Sequence, residues 1–275
     1  MSRFETQYGN LVARTIMHGT QRASRAGFTT STFGTMLRID CLEQGVFPIL
    51  TQRKVFTKGI LGELAAFLQG ATDLKTFKDF GCNYWDTNAA AWAPNAGLPP
   101  EQHTVGKIYG YHWRRWGGKT DQLRILVDNL ATDPDSRRHL LTAYNPAELG
   151  EGCLPPCHLL AQFNVRVGKH LDCIVTMRSV DLCLGLPSDI VLYATLMLLL
   201  CNDTGYLPGT LIFMMGDTHV YLNHIDLAQV QLARPMHPLP TFNLSPHASI
   251  NKFSPRDLVL SNYEHTGALQ YEFNV

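Results

Sequence analysis

The tract "DIVLYATLMLLLCNDTG" limits the architecture more than any other part of the chain. It supplies about 12 apolar-leaning residues between Ile190 and Cys201, short of the roughly 18 to 20 that a membrane span needs. It therefore reads as a buried core helix, and its flanks say what buries it. Upstream, "LLAQFNVRVGKHLDCIVTMRSVDL" alternates Phe163, Val165 and Val167 before a Gly168-Lys169 turn, then Leu171, Cys173 and Val175 after it, the pattern of a β-hairpin. Downstream, "GTLIFMMGDTHVY" reads as another strand. Strands on both sides of a buried helix point to an α+β or mixed α/β fold.

The rest of the chain fits that frame. Leu11, Val12, Thr15 and Ile16 form an amphipathic stripe closed by Gly19, and "STFGTMLRIDC" is strand-like around Gly34. "GILGELAAFLQG" predicts a helix with Ile60, Leu64, Phe67 and Leu68 near one face and Gly70 as its stop. Glu63 interrupts that apolar pattern, so its carboxylate either faces solvent or has a purpose. Residues 89–106 are rich in Ala, Pro and Gly without a period and are expected to form a long surface loop. A helix over Gln122–Leu130 and a strand over His139–Tyr144 follow. With no internal repeat and no low-complexity segment, residues 1–275 are expected to form one domain.

Charge excludes some functions. Lys plus Arg and Asp plus Glu are both 23, so there is no polybasic track for nucleic acid or an anionic membrane. Local clusters remain open, and Arg25, Arg137, Arg138 and Arg178 are the candidate phosphate ligands. The seven cysteines are odd in number and show no CxxC pairing, and "MSRFETQYGN" is polar. These features imply no metal, a reduced compartment and a cytoplasmic location, that of the host if the source is viral.

Cys157 stands out in "LPPCH". Pro155 and Pro156 fix its approach, and strand-like residues follow. The adjacent His158 need not be a base, because neighbouring strand residues point to opposite faces. An arginine brought near by folding could activate the thiol instead, and Arg178 is the nearest candidate in chain order. The competing reading is a small buried hydrophobe, the usual state of a free cysteine.

The segments "TFGTMLR", "ELAAFLQG", "YWD", "IYGYHWRRWGG", "DPDSRRHLLTAYNP", "LPPCHLLAQF", "RSVDLCLGLPSDI" and "GDTHVYLNH" occur in this order, and the chain resembles the thymidylate synthase family, including its deoxycytidylate hydroxymethylase branch, from about Arg25 onward. The resemblance implies a large mixed β-sheet with packed helices, paired back to back in a homodimer. It also implies site roles. Cys157 matches the nucleophile that adds to pyrimidine C6, Glu63 the carboxylate that organises water and proton transfer, and Tyr109 the tyrosine near the C5 proton. Arg25, Arg178 and Ser179 match phosphate ligands of one subunit, with Arg137 and Arg138 donated across the interface. His219 and Tyr221 match the pair on the deoxyribose 3′-hydroxyl, Asp181 a residue at the base or folate ring, and Trp85 the indole beside the folate. The implied cosubstrate is 5,10-methylenetetrahydrofolate.

Asp189 sets the substrate question. Where synthases carry an asparagine that matches the uracil edge, a carboxylate can only accept, which suits the 4-amino group of cytosine. The competing reading is an N-cap for the helix "IVLYA". Asn88, Met177 and the tail "YEFNV" depart from the synthase pattern, whereas Trp85 and Val275 are retained. The expected reaction is hydroxymethylation of dCMP, ahead of dCMP methylation and of dUMP methylation, and would suit a bacteriophage or other virus with modified cytosine. A noncatalytic nucleotide- or RNA-binding dimer is the reading from a different class.

Overall fold

The computed structural model describes residues 3–99 and 102–274. Six strands form one mixed sheet: β1 (Thr20–Ser24), β2 (Gly27–Ile39), β3 (Leu140–Thr142), β4 (His158–Arg166), β5 (His170–Asp181) and β6 (Leu207–Tyr221). Their spatial order is β1-β2-β6-β5-β4-β3, with β5 and β6 parallel and every other pair antiparallel. A two-stranded ribbon, β7 (Thr241–Leu244) and β8 (Leu258–Ser261), lies apart from it. The architecture is α+β, as expected.

The β4–β5 hairpin has a three-residue loop, residues 167–169, closed by the Lys169 N–H donating to the Arg166 carbonyl at 3.1 Å, with Gly168 (φ 86°) and Lys169 (φ 60°) both left-handed. Its alternation puts Phe163, Leu171, Cys173, Val175 and Met177 on the inner face, joined there by Leu37, Ile39, Leu211, Phe213 and Met215. Helix α7 (Gly185–Thr204) is the crossover between parallel β5 and β6 and is buried on nearly every side. It is longer than the tract suggests. Its 20 residues and mean hydropathy of 1.4 over 18 of them would pass for a membrane-crossing helix, but 78% of that window is buried inside the fold. Each fully buried Leu, Ile or Val contributes about 1.5–3 kcal/mol, so water exclusion by this layer is the main driving term.

Around α7 pack α2 (Thr57–Leu68), α5 (Tyr109–Arg115) and α6 (Gln122–Thr132). Helix α1 (Arg3–His18) lies on β2 and on α8 (Ile225–Ala233). The short helices α3 (Leu74–Asp79) and α4 (Asp86–Trp92) complete the set. Helix α4 corrects the loop expectation, because Ala89–Trp92 is its second half and, among the described residues, only 93–99 and 102–106 are irregular. Alanine has the highest helix propensity, and the lack of an apolar stripe hid this helix.

One row across the sheet is distorted. Gly34 (φ 77°) stands opposite Gly216 between the pairs Phe33↔Asp217 and Thr35↔Met215. A Cβ on Gly216 would sit 2.8 Å from the Arg178 carbonyl oxygen, so only glycine lets β5 approach there. Arg178 N–H in turn donates to the Cys157 carbonyl, 2.9 Å away, and the β4 register shifts between His158 and Leu160. Bulges of this kind re-aim side chains, and this one lies at the "LPPCH" turn.

Candidate active site

The turn that carries Cys157 is stapled by one side chain. Arg178 donates from Nε to the Pro156 carbonyl (2.9 Å), from Nη2 to the Pro155 carbonyl (2.7 Å), and stands 3.5 Å from Cys157 Sγ. The Cys157 N–H donates to the Tyr109 hydroxyl at 2.8 Å. Burial pushes the thiol above its ordinary pKa; Arg178 and Arg25 pull it down, while Asp189 pushes it further up. Among the described cysteines only Cys157 has a guanidinium on its sulfur; Cys41 and Cys153 are pushed up to about 12 by burial.

Glu63 does not face solvent. Its Oε1 accepts from Trp85 Nε1 (2.7 Å) and its Oε2 from the Tyr84 hydroxyl (2.9 Å), on a side chain that burial drives up to about 7. Those donors lower the value and the Asp189 charge raises it. A carboxylic acid poised near neutrality can take or give a proton at physiological pH.

Asp189 lies in the second turn of α7, because that helix begins at Gly185. The N-cap reading is therefore corrected. Asp181 does the capping, its carboxylate accepting from the N–H groups of Cys183 (2.9 Å), Leu184 (2.9 Å) and Gly185 (3.4 Å). Asp189 Oδ1 instead meets His158 Nε2 at 2.9 Å, with the imidazole between the rings of Tyr109 (4.8 Å) and Tyr193 (5.3 Å). The Asp189 charge acts on Glu63, Cys157 and Tyr109 alike, so α2, α5, α7 and the β4 turn converge on one space. His158, Tyr84 and Asp217 were not picked out as site residues from the sequence. For His158 the available signal was its place beside Cys157.

A second cluster lies on the adjacent strands. Ser179 and Asp181 of β5 pair with Asp217 and His219 of β6, placing all four, with Tyr221, on one face. His219 Nδ1 bonds Asp217 Oδ1 (2.7 Å), and its ring packs edge-on to Tyr221 (5.3 Å). Arg25, in the β1–β2 turn, reaches Cys157 and Tyr221 electrostatically. Arg137 and Arg138 do not join the site of their own chain. They precede Leu140, which pairs with Gln162, roughly 17 Å along β4 from Cys157 at about 3.3 Å per residue, and the two arginines lie further out still. Neither of them, nor Arg25 or Arg178, has an acidic partner among the described residues.

On the Trp85 side, Asn88 is one helical turn further along α4, buried, with no hydrogen-bond partner for its amide among the described residues. The C-terminal tail is docked by His224 Nε2 to the Glu272 carbonyl (2.8 Å), Asn223 to Glu272 (2.8 Å) and the Tyr271 hydroxyl to Gln231 (3.0 Å). Val275 lies outside the described residues. Asp181, Cys183 and His224 bring three potential metal ligands within 4.8 Å, but the Asp181 oxygens already serve backbone N–H groups and burial drives the Cys183 thiol far up.

This geometry can be set against known proteins. The family model for thymidylate synthase matches residues 6–275. Thymidylate synthase 1/2 of Encephalitozoon cuniculi (strain GB-M1) is 36% identical over 283 aligned positions, covering 97% of this chain and 96% of that protein. A cysteine stapled by arginine, a buried carboxylate near neutrality and a family match along nearly the whole chain agree: the chain belongs to the thymidylate synthase family.

Proposed function

We propose that this enzyme transfers the one-carbon unit of 5,10-methylenetetrahydrofolate to C5 of dCMP and releases 5-hydroxymethyl-dCMP. Family membership gives the coarser chemistry: a folate-dependent C5 one-carbon transferase of pyrimidine nucleotides that needs no metal. The choice of base rests on one observation, the Asp189 carboxylate beside Cys157 and Glu63. Against uracil that carboxylate would face the O4 acceptor; against cytosine it accepts from the 4-amino group. Leaving buried polar groups mismatched costs about 1–3 kcal/mol, or tenfold to over a hundredfold in kcat/KM.

Catalysis starts when the Cys157 thiolate bonds to C6 and the ring electrons move to C5, with the Arg178 charge offsetting the cost of forming the thiolate. The bound folate supplies the methylene carbon that C5 attacks. Loss of the C5 proton and cleavage of the folate N–CH2 bond then leave an exocyclic methylene. Glu63 is the residue able to exchange protons at this stage, and Tyr109 holds the nucleophile's backbone in place. Water adding to the exocyclic carbon gives the hydroxymethyl group, after which C6 expels the thiolate. The unpartnered amide of Asn88, one turn from the Trp85 indole, is suited to holding water or folate polar groups, which supports the hydroxymethyl branch. The second reading, reductive methylation of dCMP, draws on the retained Trp85 and the docked tail.

Incubation with dCMP or dUMP plus methylenetetrahydrofolate, followed by product mass and absorbance of dihydrofolate, tests this. The expected product is 5-hydroxymethyl-dCMP without dihydrofolate; 5-methyl-dCMP with stoichiometric dihydrofolate would favour the second reading. Asp189→Asn is expected to move the kcat/KM ratio toward dUMP by about tenfold to a hundredfold. An unchanged ratio would remove Asp189 from base recognition.

The same proposal includes a back-to-back homodimer. Met36 and Met214 pair across β2 and β6 on the outer sheet face, 62% and 48% exposed, near Phe33 at 79%. An apolar sheet face of this kind needs a partner, and a second copy would bring Arg137 and Arg138 to the phosphate. Mixing an Arg137→Ala/Arg138→Ala double variant with Cys157→Ala is expected to restore part of the activity that each lacks alone. No restoration in mixtures shown to contain mixed dimers would contradict donation across the interface.

A further inference from the structure

The contact between His158 and Asp189 carries a consequence for how the base is read. Nε2 and Oδ1 are 2.9 Å apart, so one proton lies between them. His158 Nδ1 is buried and has no hydrogen-bond partner among the described residues, in a slot formed by the rings of Tyr109 and Tyr193. That asymmetry selects among the possible proton placements. An imidazolium would strand a buried Nδ1–H. So would a protonated Asp189 donating to Nε2, because the imidazole proton would then sit on Nδ1. Only the neutral ring with its proton on Nε2 leaves nothing but a lone pair unpaired, and that form donates to an ionised carboxylate.

The carboxylate is thereby divided. Oδ1 is occupied by the imidazole, whereas Oδ2 has no partner among the described residues on a side chain that is 14% exposed. An aspartate presenting both oxygens to cytosine would set one against the 4-amino group and the other against N3, a lone pair facing a lone pair. With Oδ1 held by His158, one acceptor remains for the amino group and the clash at N3 is avoided. On the reading that this enzyme takes cytosine nucleotides, we propose that His158 is a positioning residue for substrate choice: its Nε2–H holds Oδ1 and keeps Asp189 ionised, so that Oδ2 alone meets the 4-amino group.

His158 lies immediately after the nucleophile, so a general loss of activity on mutation would say little. The informative quantity is the ratio of kcat/KM for dCMP to that for dUMP in the wild type, in His158→Leu and in His158→Gln. Glutamine places an amide N–H near the position of Nε2 and cannot titrate. His158→Leu is expected to lower the ratio at least about tenfold, and His158→Gln to keep it within about threefold of wild type. Equal losses for both nucleotides in His158→Leu, with a ratio unchanged from a wild type that prefers dCMP, would overturn the role of His158 while leaving the substrate reading intact. A wild type that prefers dUMP would overturn the substrate reading itself. The proton placement has its own readout in ring 15N resonances of His158 in the wild-type protein. The Nε2–H tautomer is expected, and an Nδ1–H tautomer or an imidazolium at neutral pH would contradict the proposal whatever the kinetics show.

Discussion

Cys157→Ala is expected to lower turnover by roughly 10⁴- to 10⁶-fold while leaving the fold intact, measured as kcat on the preferred nucleotide beside a thermal melt. The size of the effect follows from the chemistry, since without a C6 adduct the pyrimidine C5 carries too little electron density to attack the folate carbon. The small effect on stability follows from the surroundings. The loop is held by Arg178 bonds to the Pro155 and Pro156 carbonyls, by the Arg178 N–H to the Cys157 carbonyl and by the Cys157 N–H to Tyr109, none of which involves the sulfur. A variant retaining more than about one per cent of wild-type turnover would point to a mechanism without covalent addition.

Glu63→Gln is the second large effect, a loss of about 10²- to 10⁴-fold in kcat, the range for removing a general acid–base group. It should also remove a pH trend in stability. Burial raises the Glu63 pKa from 4.5 to about 7, so the folded state binds this proton more tightly than the unfolded chain. Its favourable contribution is fully present below about pH 4.5 and is lost as pH rises through about 7. Glutamine has no such proton, yet its carbonyl can still accept from Trp85 Nε1 and its amide can donate to the Tyr84 oxygen. The stability of Glu63→Gln relative to wild type is therefore expected to rise between pH 4.5 and 7 and to level off above, by up to about 3 kcal/mol. Denaturant titrations at pH 5 and pH 8 measure this, and a flat difference would mean that Glu63 is not held near neutrality.

Much of this was legible in the sequence, for local reasons. The β4–β5 hairpin and α7 declare themselves through period-two alternation and a continuous apolar run, signals that survive without tertiary context. The start of α7 was not legible. "LPSD" has good capping chemistry, but Asp181, three residues upstream of Leu184, reaches the free N–H groups first and starts the helix at Gly185. That shift leaves Asp189 free to face the site. On a regular strand His158 would face away from Cys157 and need not be a base, and the register shift after His158 suspends that rule where it matters. The arginine on the Cys157 sulfur was readable from chain order, since a short hairpin returns Arg178 beside the "PPC" turn. Arg137 and Arg138 lie far from Cys157 in their own chain, and no reading of a single chain can bring them in.

The substrate assignment has a direct test in the intact mass of the protein after incubation with methylenetetrahydrofolate and either 5-fluoro-dCMP or 5-fluoro-dUMP. The fluorine blocks loss of the C5 substituent and traps the covalent complex. A stable adduct at Cys157 that forms at least about tenfold faster with the cytosine analogue is the predicted result. Faster trapping of the uracil analogue, or no adduct with either, would contradict the account.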